Sequence, residues 1–439
     1  MSTSHLTRLA TVCLAFGALA STPLSVSAGG RTSIELVATY DAGVTLDWAA
    51  GTIAVRSVAA ITNGSGGPID EIVLNSFAGP LGGMELLSAK VDGVPVDAQV
   101  IGQNIIVPLG TPLPDGQRVV LLTRYRAHLR DGSAGRSFQW STDRGIISVL
   151  RSIPWVSQRE AFDAHPWGDP FTTAVSPDVH VTFTTDRALT IASTGRPVGA
   201  SADGLTQTFE ARDVRDFNFT AAPDFKTLAG HSLDGDTDIV VYSRTLPRAL
   251  MLDHAQRALR AFEAKLGPYP YPRLTVSESS GGVAHESPGH IWLSPTLSPT
   301  RLGELVVHEI AHQWFYALVG NDQPGQPFAD ESVAEFLGRW FFGDLGGPRS
   351  CARDRLDKGI GYYDGCLYDV IYTQGSTFLT GLKEDMGART FWAALRQYVA
   401  EHRFRFGGTA DLLDVLHSSA QAVGVDLRPR LAARFPRFY

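Results

Sequence analysis

Two histidines four residues apart, His308 and His312, stand in the run Val306-Val307-His308-Glu309-Ile310-Ala311-His312-Gln313-Trp314. On a helix, residues at i and i+4 lie one above the other on one face, so both imidazoles can converge on a single ion. Glu309 follows the first histidine too closely to act as a third ligand, which leaves its carboxylate free to take a proton from a water on that ion. A histidine pair on an amphipathic helix also fits a satisfied polar seam, so a third donor is needed. Eighteen residues separate His312 from Glu331. That interval carries an expected helix stop at Gly320-Asn321, a polar turn through Pro324-Gly325-Gln326-Pro327 and a second helix from about Phe328. Two crossing helices would bring two imidazoles and a carboxylate together and leave a fourth position for water, the catalytic arrangement of zinc rather than the structural one. One Zn2+ per chain is expected, on His308, His312 and Glu331, with Glu309 as general base. Glu335, one turn beyond Glu331, either accepts the free ring N–H of a ligating histidine or is a solvated helix charge.

The elements that must position this set belong to a chain of 439 residues, 44% apolar and 19% charged, enough for two or three domains. A formal net charge of -7 leaves no basic stripe for nucleic acid. After the first thirty residues no apolar run reaches membrane-spanning length, so no stable span is expected. Residues 1–28 have the layout of a secretory leader: Arg8, an apolar stretch from Leu9 to Ala20, and Val26-Ser27-Ala28 as a small-residue cleavage site. The expectation is an exported protein, secreted or held in the periplasm or cell envelope. Cleavage after Ala28 would remove Cys13 and leave Cys351 and Cys366. A disulfide between them is favoured over two free thiols or a metal pair, since nothing nearby supplies further ligands. Closing a loop of about fifteen residues would remove denatured-state entropy worth on the order of 3 kcal/mol.

Residues 29–226 read as an all-β domain: short alternating segments such as Gly51–Val58, Asn104–Leu109, Arg118–Tyr125 and His180–Phe183, with turn pairs Asn63-Gly64, Asp92-Gly93 and Asp115-Gly116 between them. A polar stretch over Lys226–Thr237 marks the boundary to a second domain, 227–439. There a strand at Ile239–Tyr242, a helix from about Pro247 to Leu266, a strand at Leu274–Ser277 and further helices after Ser376 are predicted.

The run His308–Phe315 with its interval to Glu331 resembles the gluzincin metallopeptidases of the aminopeptidase N family. The likeness covers the second domain well and the first loosely, there through Leu113-Pro114-Asp115-Gly116, Ile191–Gly195 and Ala211–Phe217. It implies an α+β multidomain fold, a saddle-like all-β domain followed by a thermolysin-like, mainly helical catalytic domain. It also implies hydrolysis of peptides, with release of amino-terminal residues. The family's Gly-Ala-Met-Glu-Asn loop, which binds the substrate's α-amine, corresponds to Val283-Ala284-His285-Glu286-Ser287, departing at Val283, His285 and Ser287. Glu286 occupies the amine-binding position. Tyr372-Thr373-Gln374-Gly375 resembles the family's Tyr-x-Lys-Gly segment and makes Tyr372 the donor to the oxyanion, with Gln374 where the family has Lys and with Tyr362, Tyr363 and Tyr368 as competitors. A Gln or Glu from the first domain is implied near the amine; Gln158 and Glu160 are candidates, with surface roles as the competing reading. Larger family members continue with a helical domain over the site, so a more open cleft, or cover by a partner or oligomer, is expected. Alternatives are an endopeptidase or narrow processing peptidase, and a non-catalytic envelope binding protein on the same fold.

Overall fold

The computed structural model describes residues 35–157, 173–344, 347 and 349–439. The leader over 1–28 and the candidates Gln158 and Glu160 lie outside the described residues. Among those described, no helix is long and apolar enough to cross a membrane.

The first half is β-rich because its segments alternate apolar and polar residues. Along Leu36–Asp47 every second side chain, from Leu36 to Leu46, is buried, the period of a strand with one face on a core. This strand pairs with Thr52–Asn63 antiparallel and with Val179–Thr185 parallel inside an eight-stranded sheet. Asp92 and Gly93 both take positive φ, 48° and 84°, in the tight turn joining Glu85–Val91 to Val94–Val96. Smaller five- and four-stranded sheets complete this half.

The second half opens with a five-stranded sheet in which Asp238–Ser243, Arg273–Glu278 and His290–Leu293 run parallel. Part of the stretch read as a polar boundary, Lys226–His231, is the outer strand of this sheet. Its six residues are exposed or half-buried, as the edge position permits, and so carry little apolar signal. Helix Arg248–Leu266 makes the crossover and buries Met251, Ala255, Leu259 and Phe262 at helical spacing. Helix Pro299–Ala311 starts where Ser298 Oγ accepts the Arg301 N–H with Pro299 in the first turn. It is buried almost all round from Leu302 onward.

This helix ends at Ala311, nine residues before the expected stop at Gly320. The carbonyls of His312, Gln313 and Trp314 accept from N–H groups five residues on, Ala317, Leu318 and Val319, so the chain loosens into wide turns. A 3₁₀ turn at Pro327–Ala329 then leads into helix Glu331–Phe342, which Gly343 closes at φ 76°. The last helices, Gly375–Met386, Ala388–Glu401, Thr409–Gln421 and Arg428–Arg434, pack behind it.

The two halves meet through buried polar groups. Tyr316 Oη donates to Asp216 and accepts from Arg151 Nη2 at 2.8 Å, with Arg151 and Asp216 1% and 2% exposed. Asp216 Oδ1 also accepts from Ser287 Oγ at 2.6 Å, and Gln313 Nε2 donates to the Ser287 carbonyl at 2.9 Å. One network thus fixes the backbone on both sides of the His308–His312 helix end and of Glu286.

Candidate metal centre and substrate cavity

His308 sits in the last turn of helix Pro299–Ala311, His312 caps its end, and Glu331 is the first residue of the crossing helix. Their ligand atoms converge. His308 Nε2 and His312 Nε2 are 3.2 Å apart, and Glu331 Oε2 lies 3.4 and 3.5 Å from them. Glu331 Oε2 is buried without a hydrogen-bond partner. Burial pushes both imidazoles down, and the surrounding carboxylates push them up by more. Carrying only protons, the set would therefore place two imidazolium rings with adjacent nitrogens at hydrogen-bond distance, and like charges that close repel strongly. Two neutral imidazoles and a carboxylate around one divalent cation remove that conflict, so the donor set fits zinc.

The far sides of the rings are also held. His312 Nδ1 donates to Asp330 Oδ1 at 2.7 Å and lies 3.0 Å from the Phe315 carbonyl. With its proton on Nδ1, His312 offers a metal Nε2, the atom that faces His308 and Glu331. Glu335 Oε2 stands 3.3 Å from His308 Nδ1, off line for a well-formed hydrogen bond, and Arg339 Nε donates to Glu335 at 2.8 Å. Burial pushes Glu335 up, and these two partners overcome it and bring it down to about 2.

Glu309 and Glu286 face the same cavity, of about 520 Å³. Burial pushes each up to about 7, with histidine charges partly opposing it: His308 and His312 for Glu309, His285 and His312 for Glu286. Glu286, Glu309, Asp330 and Glu331 are all under 8% exposed. So many acids require compensating positive charge.

No protein-family model matches the chain. Solved structures do. A two-domain M1 zinc metallopeptidase mutant bound to L-arginine aligns with a TM-score of 0.69 at 17% identity, over 89% of this chain and 92% of that one. The M1 zinc metallopeptidase from Deinococcus radiodurans aligns at 0.69 and 16% identity over 92% and 95%. A mutant of it bound to a Tyr-Ser-Ala substrate gives 0.68 and 17% over 92% and 95%. This chain has the two-domain M1 zinc metallopeptidase fold. The coarse expectation, a β-rich first half and a helical second half, agrees with it.

Within this M1 fold, Tyr372 lines the cavity, its ring 5.9 Å from that of His308 and nearly parallel to it. Burial, reinforced by Glu331, pushes its phenol well up, so it remains a donor. Of its competitors, Tyr368 also lines the cavity. Tyr363 is buried in the core, and Tyr362 lies among Arg353 and Lys358. Glu286 directly follows the edge strand Ala284–His285. Its loop is pressed against the first half: Gly282 has φ +79°, and a Cβ there would come within 2.6 Å of the Phe138 ring.

Three side chains at the site escape a reading by motif. Asp330 looks like a helix-start residue, and only the fold shows it beneath His312. Gln323 lies just before the expected polar turn, and its Nε2 is 3.2 Å from both Glu286 Oε1 and Asp330 Oδ2 and 3.4 Å from Glu331 Oε1. Gln139, in the 3₁₀ turn Gly135–Gln139, lines the cavity from the first half with a buried, unpartnered Oε1. Nothing local in the sequence distinguishes it.

Proposed function

We propose that the chain is a zinc-dependent peptidase of the M1 type, with a thermolysin-like second half, and that it releases amino-terminal residues from peptides. The convergence of His308 Nε2, His312 Nε2 and Glu331 Oε2 beside Glu309 carries this reading. Zinc, when bound by those three residues, polarises the scissile carbonyl and makes water acidic enough to attack at neutral pH. Glu309, buried beside the first ligand and facing the cavity, takes the proton of the attacking water and returns it to the leaving nitrogen. Tyr372 donates a hydrogen bond to the developing oxyanion. Glu286, buried beside Gln323, receives the substrate ammonium, and Gln139 Oε1 offers a further acceptor from the opposite wall. An acylated amino terminus would offer Glu286 no positive charge and forgo that ion pair, so it is selected against. The structural neighbours bound to L-arginine and to Tyr-Ser-Ala support this substrate class. The Cys351–Cys366 disulfide supports work in an oxidising compartment, in keeping with the leader expected over 1–28.

The test is zinc content together with hydrolysis of matched free and acetylated peptides by the parent and Glu309→Gln. One zinc per chain in both, cleavage of the free peptides only, and activity lost in Glu309→Gln are expected. A parent without bound metal, or Glu309→Gln with parental turnover, would overturn the reading. Equal cleavage of acetylated peptides would retain the peptidase and remove the amino-terminal preference.

A further inference from the structure

Tyr372 stands in a π-turn, Tyr368–Gln374, where Gly375 N–H reaches back five residues to the Val370 carbonyl. Such turns are rare and need outside support, because their hydrogen bonding is less favourable than that of the α-helix. Here the support comes from the residues on either side of the tyrosine. Gln374, 6% exposed, donates from Nε2 to Asp369 Oδ2 at 2.7 Å, with the Cys351 and Arg353 carbonyls 3.3 Å away. Its Oε1 accepts from Arg434 Nη2 at 3.0 Å. Asp369 in turn accepts from Ser350 N–H at 3.0 Å, Ser350 Oγ at 2.7 Å and Cys351 N–H at 2.9 Å. The disulfide then ties Cys351 to Cys366, just before Leu367 and Tyr368, which line the cavity. Both ends of the π-turn are thereby fastened to one loop and to the last helix.

We propose that the Asp369–Gln374 clasp, closed by the Cys351–Cys366 bridge, is the device that aims the Tyr372 hydroxyl, making Asp369 and Gln374 positioning residues for the reaction. This rests on the peptidase reading above. The chemistry of position 374 follows from it. The side chain must donate to a carboxylate and accept from a guanidinium, which an amide does. A lysine could only donate, and would set its ammonium against Arg434. Burial pushes Asp369 up, and its donors overcome that and bring it down to about 2, so the clasp is anionic at its centre throughout the neutral range.

Zinc-loaded parent, Gln374→Glu, Asp369→Asn, Tyr372→Phe and the two double variants with Tyr372→Phe are compared on a free peptide. Gln374→Glu sets a second carboxylate against Asp369. Asp369→Asn turns an amide toward the N–H donors and is the alternative where the first variant does not fold. The expected result for either clasp variant is kcat reduced about 10- to 100-fold, of the order that a misaimed oxyanion donor costs. KM should change by less than about threefold, zinc content should stay the same, and in the Tyr372→Phe background the further loss should be under about twofold. A clasp variant with parental kcat, an equal loss with and without the Tyr372 hydroxyl, or a fully active Tyr372→Phe would overturn the proposal. A parent that cleaves no peptide overturns the peptidase reading instead.

Discussion

Asp330 Oδ1 lies 2.7 Å from His312 Nδ1, and both side chains are essentially excluded from solvent. The bond fixes the ring so that Nε2 faces Glu331 and the neighbouring imidazole. Its partner on the other ring is weaker: Glu335 is 3.3 Å from His308 Nδ1, partly exposed, and shared with Arg339. Supporting carboxylates of this kind typically contribute a factor of ten to a hundred in metal affinity. Asp330→Asn is therefore expected to weaken zinc binding by about that factor, and Glu335→Gln by less. Competition with a chelator of known affinity measures both; equal effects would show that the geometry does not rank them.

Glu278, 1% exposed, gathers five donors: Ser243 Oγ at 2.8 Å, Thr245 Oγ1 at 2.7 Å, and the N–H groups of Arg244, Thr245 and Leu246 at 2.8, 2.7 and 3.1 Å. Burial pushes its carboxyl up, and the donors outweigh that and hold it below the usual range. Its contribution to stability is complete above the unfolded-state value near 4.3 and is lost as pH falls through the folded value. Glu278→Gln is expected to cost roughly 1–3 kcal/mol at neutral pH. Denaturant midpoints taken as the pH is lowered below about 4 are expected to converge with those of the parent.

Ser332 Oγ donates to the Ile371 carbonyl at 2.6 Å, and a Cβ on Gly375 would come within 2.1 Å of the Ser332 Oγ itself. The hydroxyl cannot swing away without losing its acceptor. Gly375→Ala is thus an overpacking change between the Glu331 helix and the Tyr372 turn, expected to cost about 1–3 kcal/mol in chemical denaturation. Stability equal to the parent would mean that the two elements are free to separate.

How far the site was legible depended on how local its signals are. His308 and Glu309 lie in the last turn of one helix and His312 caps it, so their spacing carries their geometry, and Glu331 follows from the helix that must come next. The disulfide was legible from two cysteines fifteen apart. Asp330, Gln323 and Gln139 were not, because each acquires its role from residues brought near by the fold: a ring above it, three carboxylates around it, a cavity across from it. The early end of the first helix at Ala311 was hidden for a similar reason. The residues from His312 to Val319 are apolar enough to continue a helix, yet they turn through Tyr316 at φ 138°, whose hydroxyl is bonded to Arg151 and Asp216 of the first half.

Arg151 and Asp216 make a fully buried pair at 3.6 Å, bridged by the Tyr316 hydroxyl. Neutralising one partner strands the other charge away from water. Asp216→Asn is expected to destabilise the whole chain by roughly 3–5 kcal/mol. A single denaturation transition displaced to lower denaturant is the expected observation, and an unshifted midpoint would show that the pair contributes nothing net.

The Gly135–Gln139 turn reaches the cavity from the opposite half of the molecule to the metal set, with Phe138 against Gly282 and Gln139 at the wall. On the peptidase reading, one wall of the substrate cavity is consequently written in a different stretch of chain from Glu286 and the metal set. A change along that turn would reshape the wall facing the metal set without altering any of the residues that would hold the ion.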